Sequence, residues 1–281
     1  MPTERLESGE LFLSLPSLPP PVMPVFVLRP YRLCRFLFHV LRGMATVAWR
    51  FPGLDQAGRV AHIQRWSTQL TRILGISVRV QGVVPGVYPA NHLLISNHIS
   101  WLDIFVLNAV TVSRFVAKAE IRNWPVVGRL CLGTGTLFIE RERKRDTARV
   151  GQDMLAALQA GHCLAVFPEG TTSDGQAVLP FRSSLLQAAV DGNTTLQPVY
   201  LRYCNAQGQR CGLAAYIDDI SIGRSLWRIL GNRGLTVEIN FLSPLSPEQQ
   251  DRRSLTRTLE ARIQAAHTAL DAHNRPHSPT D

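Results

Sequence analysis

The run His92-Leu93-Leu94-Ile95-Ser96, followed at once by Asn97-His98-Ile99-Ser100-Trp101-Leu102-Asp103, constrains this chain most. Its apolar residues are consecutive rather than alternating, which is the pattern of a buried strand. The stretch leads into Ile104-Phe105-Val106-Leu107, which reads as a helix. His98 therefore falls at a strand-to-helix turn, where α/β folds place reactive groups. With Ile99 onward helical, Asp103 lies just over one turn beyond His98. A carboxylate there reaches back to one imidazole nitrogen and leaves the other facing a substrate, the orienting half of a catalytic dyad. Taken alone the pair is weak, because a His can simply cap a helix and an Asp five residues on can be solvated. The rest of the chain has to decide.

Strands and helices alternate downstream. Ile76, Val78 and Val80 alternate with polar residues, and further strands are predicted over 114–118, 136–140, 162–167, 196–201, 213–217 and 235–241. Helices are predicted over 146–159, 183–190 and 247–273. This order gives an α/β fold, a mixed and largely parallel sheet flanked by helices, over 76–274. A chain of 281 residues has room for that core.

Ahead of it lie three different stretches. Residues 1–30 combine Glu4, Glu7 and Glu10 with many prolines. No basic segment precedes the apolar part, so a cleaved signal peptide is not expected, and the prolines make a spanning helix unfavourable. This lead reads as extended. Residues 31–51 read as a helix with Arg32, Arg35, His39, Arg42 and Arg50 on one narrow side and large apolar residues on the rest. That pattern suits an anionic membrane interface. A second helix over 58–74 is introduced by Asp55 as N-cap and stopped by Gly75. The two form a membrane-associating helical hairpin over 31–75. Residues 275–281 are expected to be a disordered tail.

Net charge is +9 and only 18% of residues are charged, which points to an anionic partner. The basic residues of the leading helices are interleaved with large apolar ones and no nucleic-acid motif occurs, so nucleic acid is excluded as the partner. The five cysteines, Cys34, Cys131, Cys163, Cys204 and Cys211, show no metal-ligand spacing and fit reduced thiols in the cytosol, with Cys163 in the core.

Three more strand ends carry chemistry. Phe167-Pro168-Glu169-Gly170-Thr171-Thr172-Ser173 offers backbone N–H groups, hydroxyls and a flexible glycine for close ligand approach. Arg141 follows the strand 136–140 and Lys118 closes the strand 114–118. Both cations suit phosphate or carboxylate, and Arg141 can grip it through two donors. With parallel strands, His98, Lys118, Arg141 and Glu169 all emerge at one carboxyl edge of the sheet, where open α/β folds bind ligands. One base, two cations and one phosphate-friendly turn point to transfer chemistry on an anionic substrate. Ser100 is not set in G-x-S-x-G, which speaks against a serine hydrolase.

Asn97-His98-Ile99-Ser100-Trp101-Leu102-Asp103 resembles the HxxxxD motif of the glycerolipid acyltransferases. Phe115-Val116-Ala117-Lys118 through Pro125 and Gly128 is similar to the stretch that follows it. Phe138-Ile139-Glu140-Arg141, Phe167-Pro168-Glu169-Gly170-Thr171 and Gln197-Pro198-Val199 resemble the later motifs, in order, across about 76–202. The best-known members are the 1-acylglycerol-3-phosphate acyltransferases. The resemblance implies an α/β domain beside a membrane-binding helical pair. It also implies an acyl thioester donor, acyl-CoA or acyl carrier protein, and a lysophospholipid acceptor, with no metal or organic cofactor.

Under it, His98 is the base and Asp103 its partner, Arg141 with Lys118 or Arg182 holds the acceptor phosphate, and Glu169, Gly170 and Thr171 shape that pocket. The implied location is the cytoplasmic face of the inner membrane. Glu140, Thr172 and Phe181-Arg182-Ser183-Ser184 depart from the commonest family pattern. The run from Glu169 to Ser183 looks closer to the bacterial branch that includes ornithine-lipid acyltransferases, which leaves lyso-ornithine lipid as the alternative acceptor.

Overall fold

The structure is a computed structural model, and it describes residues 13–14, 23–140, 144–247 and 250–273. Strand β1 (Leu13–Ser14) is followed by helix α1 (Val25–Ala45), a π-helical turn Thr46–Arg50, a 3-10 turn Phe51–Gly53 and helix α2 (Gln56–Leu74). Then come β2 (Ile76–Gly82), β3 (His92–Ser96), α3 (Asp103–Asn108), β4 (Arg114–Lys118), α4 (Val127–Gly133), β5 (Leu137–Ile139), α5 (Lys144–Gln159) and β6 (Cys163–Val166). The chain continues through α6 (Gln187–Asp191), β7 (Thr195–Cys204), α7 (Ile222–Leu230), β8 (Leu235–Phe241) and α8 (Arg252–His273).

The strands form one sheet in the order β1-β2-β8-β7-β3-β6-β4-β5. From β7 to β5 all neighbours are parallel. The pair β2–β8 is parallel within itself but meets β7 antiparallel. The expected mixed, largely parallel sheet is therefore present, and β3, β6, β4 and β5 open their carboxyl ends on one edge. Pleating sends alternate side chains to opposite faces. Leu94, Val199, Leu201 and Tyr203 pack with α2, α3 and α7, whereas Leu93, Ile95, Val166 and Tyr200 pack with α5 and α8. Cys163 is fully buried, as expected of a core residue.

Several boundaries differ from the pattern-based ones. Helix α1 begins at Val25, six residues before Tyr31, because Pro24 can precede the first turn and Pro30 falls on an exposed side of the helix. Leu13 and Ser14 pair with Val80 and Arg79. The rest of the lead and the tail over 275–281 lie outside the described residues. No strand forms over 213–217. Gly212–Ala214 is a 3-10 turn instead, and Asp218 takes a φ of 56°, which an extended strand cannot hold. Helix α7 was not anticipated, although Ser221 caps it by accepting from the Arg224 amide. Asp55 caps α2 through the Gly58 amide at 2.8 Å, and Gly75 ends it at φ 70°, both as expected.

Helix α1 turns its amphipathic pattern inside out. Arg32 and His39 are buried against the body. The Arg32 guanidinium donates to the carbonyls of Leu230 (3.0 Å) and Asn232 (2.8 Å) at the end of α7, where the helix dipole favours a cation. His39 Nε2 meets the Trp66 carbonyl at 3.0 Å. Phe26, Leu37, Phe38 and Leu41 face outward, flanked by exposed Arg35 and Arg42. Among the described residues no helix is long and apolar enough to cross a membrane.

Candidate active site

The site is built where β3 ends. Asn97 anchors the departing chain: its side chain donates to the Leu201 carbonyl (2.9 Å) and accepts from the Leu201 amide (2.7 Å) on β7. These bonds extend the sheet by one residue, and the chain then turns. Residues 99–102 are a turn rather than the helix expected there, because α3 starts only at Asp103. Asp103 itself ties the turn. Its Oδ2 accepts from the amides of Ile99 (2.7 Å) and Ser100 (2.9 Å) and meets His98 Nδ1 at 2.8 Å. Its Oδ1 accepts from the Tyr203 hydroxyl at 2.7 Å. Four donors thus converge on a carboxylate with 0% exposure, which offsets the cost of burying it.

This geometry fixes the imidazole. A carboxylate at Nδ1 holds the proton there, so the lone pair of the neutral ring sits on Nε2. Nε2 has no hydrogen-bond partner among the described residues, and the His98 side chain is 19% exposed. The ring stacks on Phe167 with centroids 3.9 Å apart and planes 7° apart, and Phe167 stacks in turn on Phe115. A flat apolar support and a single hydrogen-bond partner at Nδ1 leave His98 one orientation. The arrangement can accept a proton at Nε2 from a group presented by a ligand.

Glu169 lies beside it. It is only 3% exposed, and its Oε1 accepts from the His98 amide at 3.3 Å. Oε2 is buried with no partner at hydrogen-bond geometry. Burial pushes its carboxyl up to about 8, opposed by the His98 amide and to a lesser degree by that of Leu179, and assisted by the neighbouring Asp103 charge. At neutral pH Glu169 is therefore largely a neutral carboxylic acid.

The following loop wraps the His98 turn. Gly170 has a φ of 75°, a conformation that favours glycine. Ser173 donates to the His98 carbonyl through its amide (2.8 Å) and its hydroxyl (3.2 Å). Thr172 donates to the Tyr216 carbonyl, and the Tyr216 amide donates to the Ile99 carbonyl at 2.9 Å. Segment 212–217 thus serves as a wall of the site instead of a strand.

Of the residues singled out from sequence, His98, Asp103 and Glu169 are in direct contact. Gly170 and Thr171 follow in the same loop, with Thr171 exposed. Lys118 is exposed at the carboxyl end of β4, two strands from β3. Arg182 is exposed, and its amide donates to the Pro168 carbonyl at 2.9 Å, which sets it against the Glu169 turn. Neither Lys118 nor Arg182 makes a side-chain hydrogen bond or ion pair among the described residues, so both cations are available to a ligand. Arg141 lies outside the described residues. No cluster of metal-ligating side chains occurs among the described residues.

Tyr203 was not foreseen. It is 100 residues from Asp103 in sequence and is an unremarked residue of an apolar strand. Only the parallel pairing of β3 with β7 brings the two together.

The chain is similar to known acyltransferases in sequence and in fold. A family model described as Acyltransferase matches residues 78–202. The chain is 37% identical over 241 residues to a 1-acyl-sn-glycerol-3-phosphate acyltransferase of Neisseria meningitidis, covering 85% of this chain and 93% of that one. It is 34% identical over 242 residues to a lyso-ornithine lipid O-acyltransferase of Pseudomonas aeruginosa, covering 84% and 92%. The fold matches the crystal structure of the 1-acyl-sn-glycerophosphate acyltransferase PlsC from Thermotoga maritima, with a TM-score of 0.67 at 20% identity over 90% of this chain.

Proposed function

The chain belongs to the acyltransferase family, and on that premise we propose that it transfers a fatty acyl group from an acyl thioester to the free hydroxyl of a lysophospholipid, 1-acyl-sn-glycerol-3-phosphate, giving phosphatidic acid. The observation that carries this reading is the His98–Asp103 pair at 2.8 Å with Nε2 left open. His98 Nε2 takes the acceptor hydroxyl proton as that oxygen bonds to the thioester carbonyl carbon. The carbon–sulfur bond then breaks, and the departing thiolate takes the proton from the imidazolium. Asp103 holds the tautomer and stabilises the imidazolium while it exists. A thioester is already activated, so no covalent acyl-enzyme is needed, and neither is a metal or organic cofactor.

Arg141, with Lys118 or Arg182, holds the acceptor phosphate. Glu169, largely neutral at pH 7, adds no repulsion there, and with the Gly170–Thr171 backbone it shapes the pocket. The helical pair over 31–75 docks the domain over 76–274 on an anionic membrane surface, at the cytoplasmic face of the inner membrane. The outward apolar face of α1 supports that docking. Acyl-CoA or acyl carrier protein supplies the chain.

A second reading has support of its own. The Pseudomonas relative acts on a lyso-ornithine lipid by its name, and the run from Glu169 to Ser183 resembles that branch. One assay separates the two. Purified protein is offered both donor types against lysophosphatidate and lyso-ornithine lipid, and products are read by mass. Phosphatidic acid is expected as the main product, and an exclusive ornithine-lipid product overturns the first reading. His98→Ala and Asp103→Asn, confirmed folded, are expected to lose about 10³-fold in turnover. Near-normal turnover in either sinks the proposed chemistry.

A further inference from the structure

The leading helices border an open cavity that takes no part in the chemistry above. It measures about 430 Å³ and is bounded by the end of α1, the π-helical turn and α2. Arg42, Trp49, Arg50, His62, Arg65 and Trp66 line it. Its volume is within the usual range of small-molecule sites.

The charge around it is one-sided. Between Glu10 and Asp103 the only acidic residue is Asp55, against nine arginines. Asp55 is already engaged by the Gly58 amide. The Arg42 side chain donates to Gln69, whereas the side chains of Arg50 and Arg65 make no hydrogen bond or ion pair among the described residues. Three guanidinium groups thus face one space with no carboxylate lining it.

The cavity is also shaped in advance. Trp66 stacks on His39 with centroids 4.6 Å apart and donates from Nε1 to the His39 carbonyl at 3.2 Å. Gly43 permits this approach, because a Cβ there would lie 2.5 Å from Trp66 Nε1. The turn Thr46–Arg50 is π-helical, a form that recurs at functional sites. Trp49 is 82% exposed and joins the cavity to the outward apolar face of Phe38 and Leu41.

We propose that this cavity binds the phosphodiester headgroup of an anionic phospholipid, gripped by Arg42, Arg50 and Arg65, while its acyl chains lie along the apolar face of α1. Arginine presents paired donors that match phosphate oxygens. Tryptophan belongs at the boundary between headgroups and chains. A free phosphate would use the cations but gain nothing from the adjoining apolar face, so the lipid is the better fit. The proposal rests on the membrane-facing reading of the helix pair. It adds that attachment is selective for a headgroup rather than a response to surface charge alone.

The test is cosedimentation of the full-length protein with phosphatidylcholine vesicles, with and without phosphatidylglycerol, at physiological salt. The cavity pair R50Q/R65Q is compared with R35Q/R72Q, which removes the same charge from exposed positions outside the cavity. Thermal unfolding checks that each variant is folded. An arginine bonded directly to a phosphate is worth roughly tenfold or more in affinity, against roughly fivefold for one merely near an anionic surface. The cavity pair is therefore expected to lose about 100-fold or more on phosphatidylglycerol vesicles, and the control pair about 25-fold at most. Equal losses overturn the site in favour of a diffuse field. Displacement of the protein from vesicles by inorganic phosphate, matched in concentration to the lipid phosphate, overturns the lipid assignment. Wild-type binding without preference for phosphatidylglycerol defeats only the headgroup site, whereas no binding to either vesicle defeats the membrane reading as well.

Discussion

The turn around His98 and the helix α1 both combine buried polar groups with apolar surroundings, but the two are arranged in opposite senses. At the turn, polar groups are brought inside and satisfied. Asp103 collects four donors, Asn97 pairs with the backbone of β7, and open valence remains at His98 Nε2 and Glu169 Oε2, in and beside the opening. In α1 the cation Arg32 goes inside to cap α7, and the large apolar side chains go outside. The first region leaves polar atoms open at its rim, and the second leaves apolar side chains open on its outer face. Burial alone therefore does not distinguish core from interface. What does is whether the opposite face has a partner within the molecule.

The largest effect that sharpens this contrast is expected at Arg32. Replacing it by Met leaves the Leu230 and Asn232 carbonyls unpaired at the α1–α7 contact, at a cost of about 3 kcal/mol in chemical unfolding. A neutral result would mean that α1 is held by its apolar residues alone. Next comes the outward face. Phe38→Ser with Leu41→Ser is expected to weaken vesicle binding about 30-fold while leaving the unfolding midpoint unchanged. A lowered midpoint would make these residues part of the fold rather than of an interface.

At the turn, Tyr203→Phe removes the donor to Asp103 Oδ1. An approximately tenfold drop in kcat with little change in KM is expected, together with about 2 kcal/mol of stability. A rise in KM alone would move Tyr203 out of the positioning role. The last effect is read as a slope rather than as a single value. Glu169 has a folded-state value of about 8 against an ordinary 4.5, so the folded protein binds the extra proton between those limits. The stability contributed by that proton is fully present below about 4.5 and is lost as pH rises through about 8. Glu169→Gln is expected to flatten the stability curve over that window, as measured by unfolding at several pH values. An unchanged slope would show that Glu169 is ionised in the fold.

The motif residues were legible because each sits at the end of a short apolar run, and such runs are unambiguous when buried on both sides. That is why β3 and β4 have the predicted limits. The strand expected over 213–217 failed because a short apolar stretch can pack sideways as readily as it can extend, and Asp218 breaks the extension. Helix α7 is amphipathic, with Ser225, Ile229 and Leu230 buried, but it spans only about two and a half turns, which the longer window used to recognise a helix dilutes. Residues 99–102 form a turn and not an extension of the helix at Ile104–Leu107, because three bonds to one carboxylate oxygen favour the tighter path.

By itself the sequence determined the alternation of strands and helices, the carboxyl-edge placement of His98, Lys118 and Glu169, and the acid-poor character of the leading helices. Those follow from local patterning, which acts over a few residues at a time. Only the tertiary structure decided that Tyr203 completes the Asp103 shell, that Glu169 is buried enough to hold its proton, and that α1 turns Arg32 inward while Arg35 and Arg42 stay exposed. Each of these depends on what a distant segment places opposite the side chain. An amphipathic period records that a helix has two faces, but which face meets protein is settled by the neighbour that offers carbonyls to Arg32 and none to Phe38.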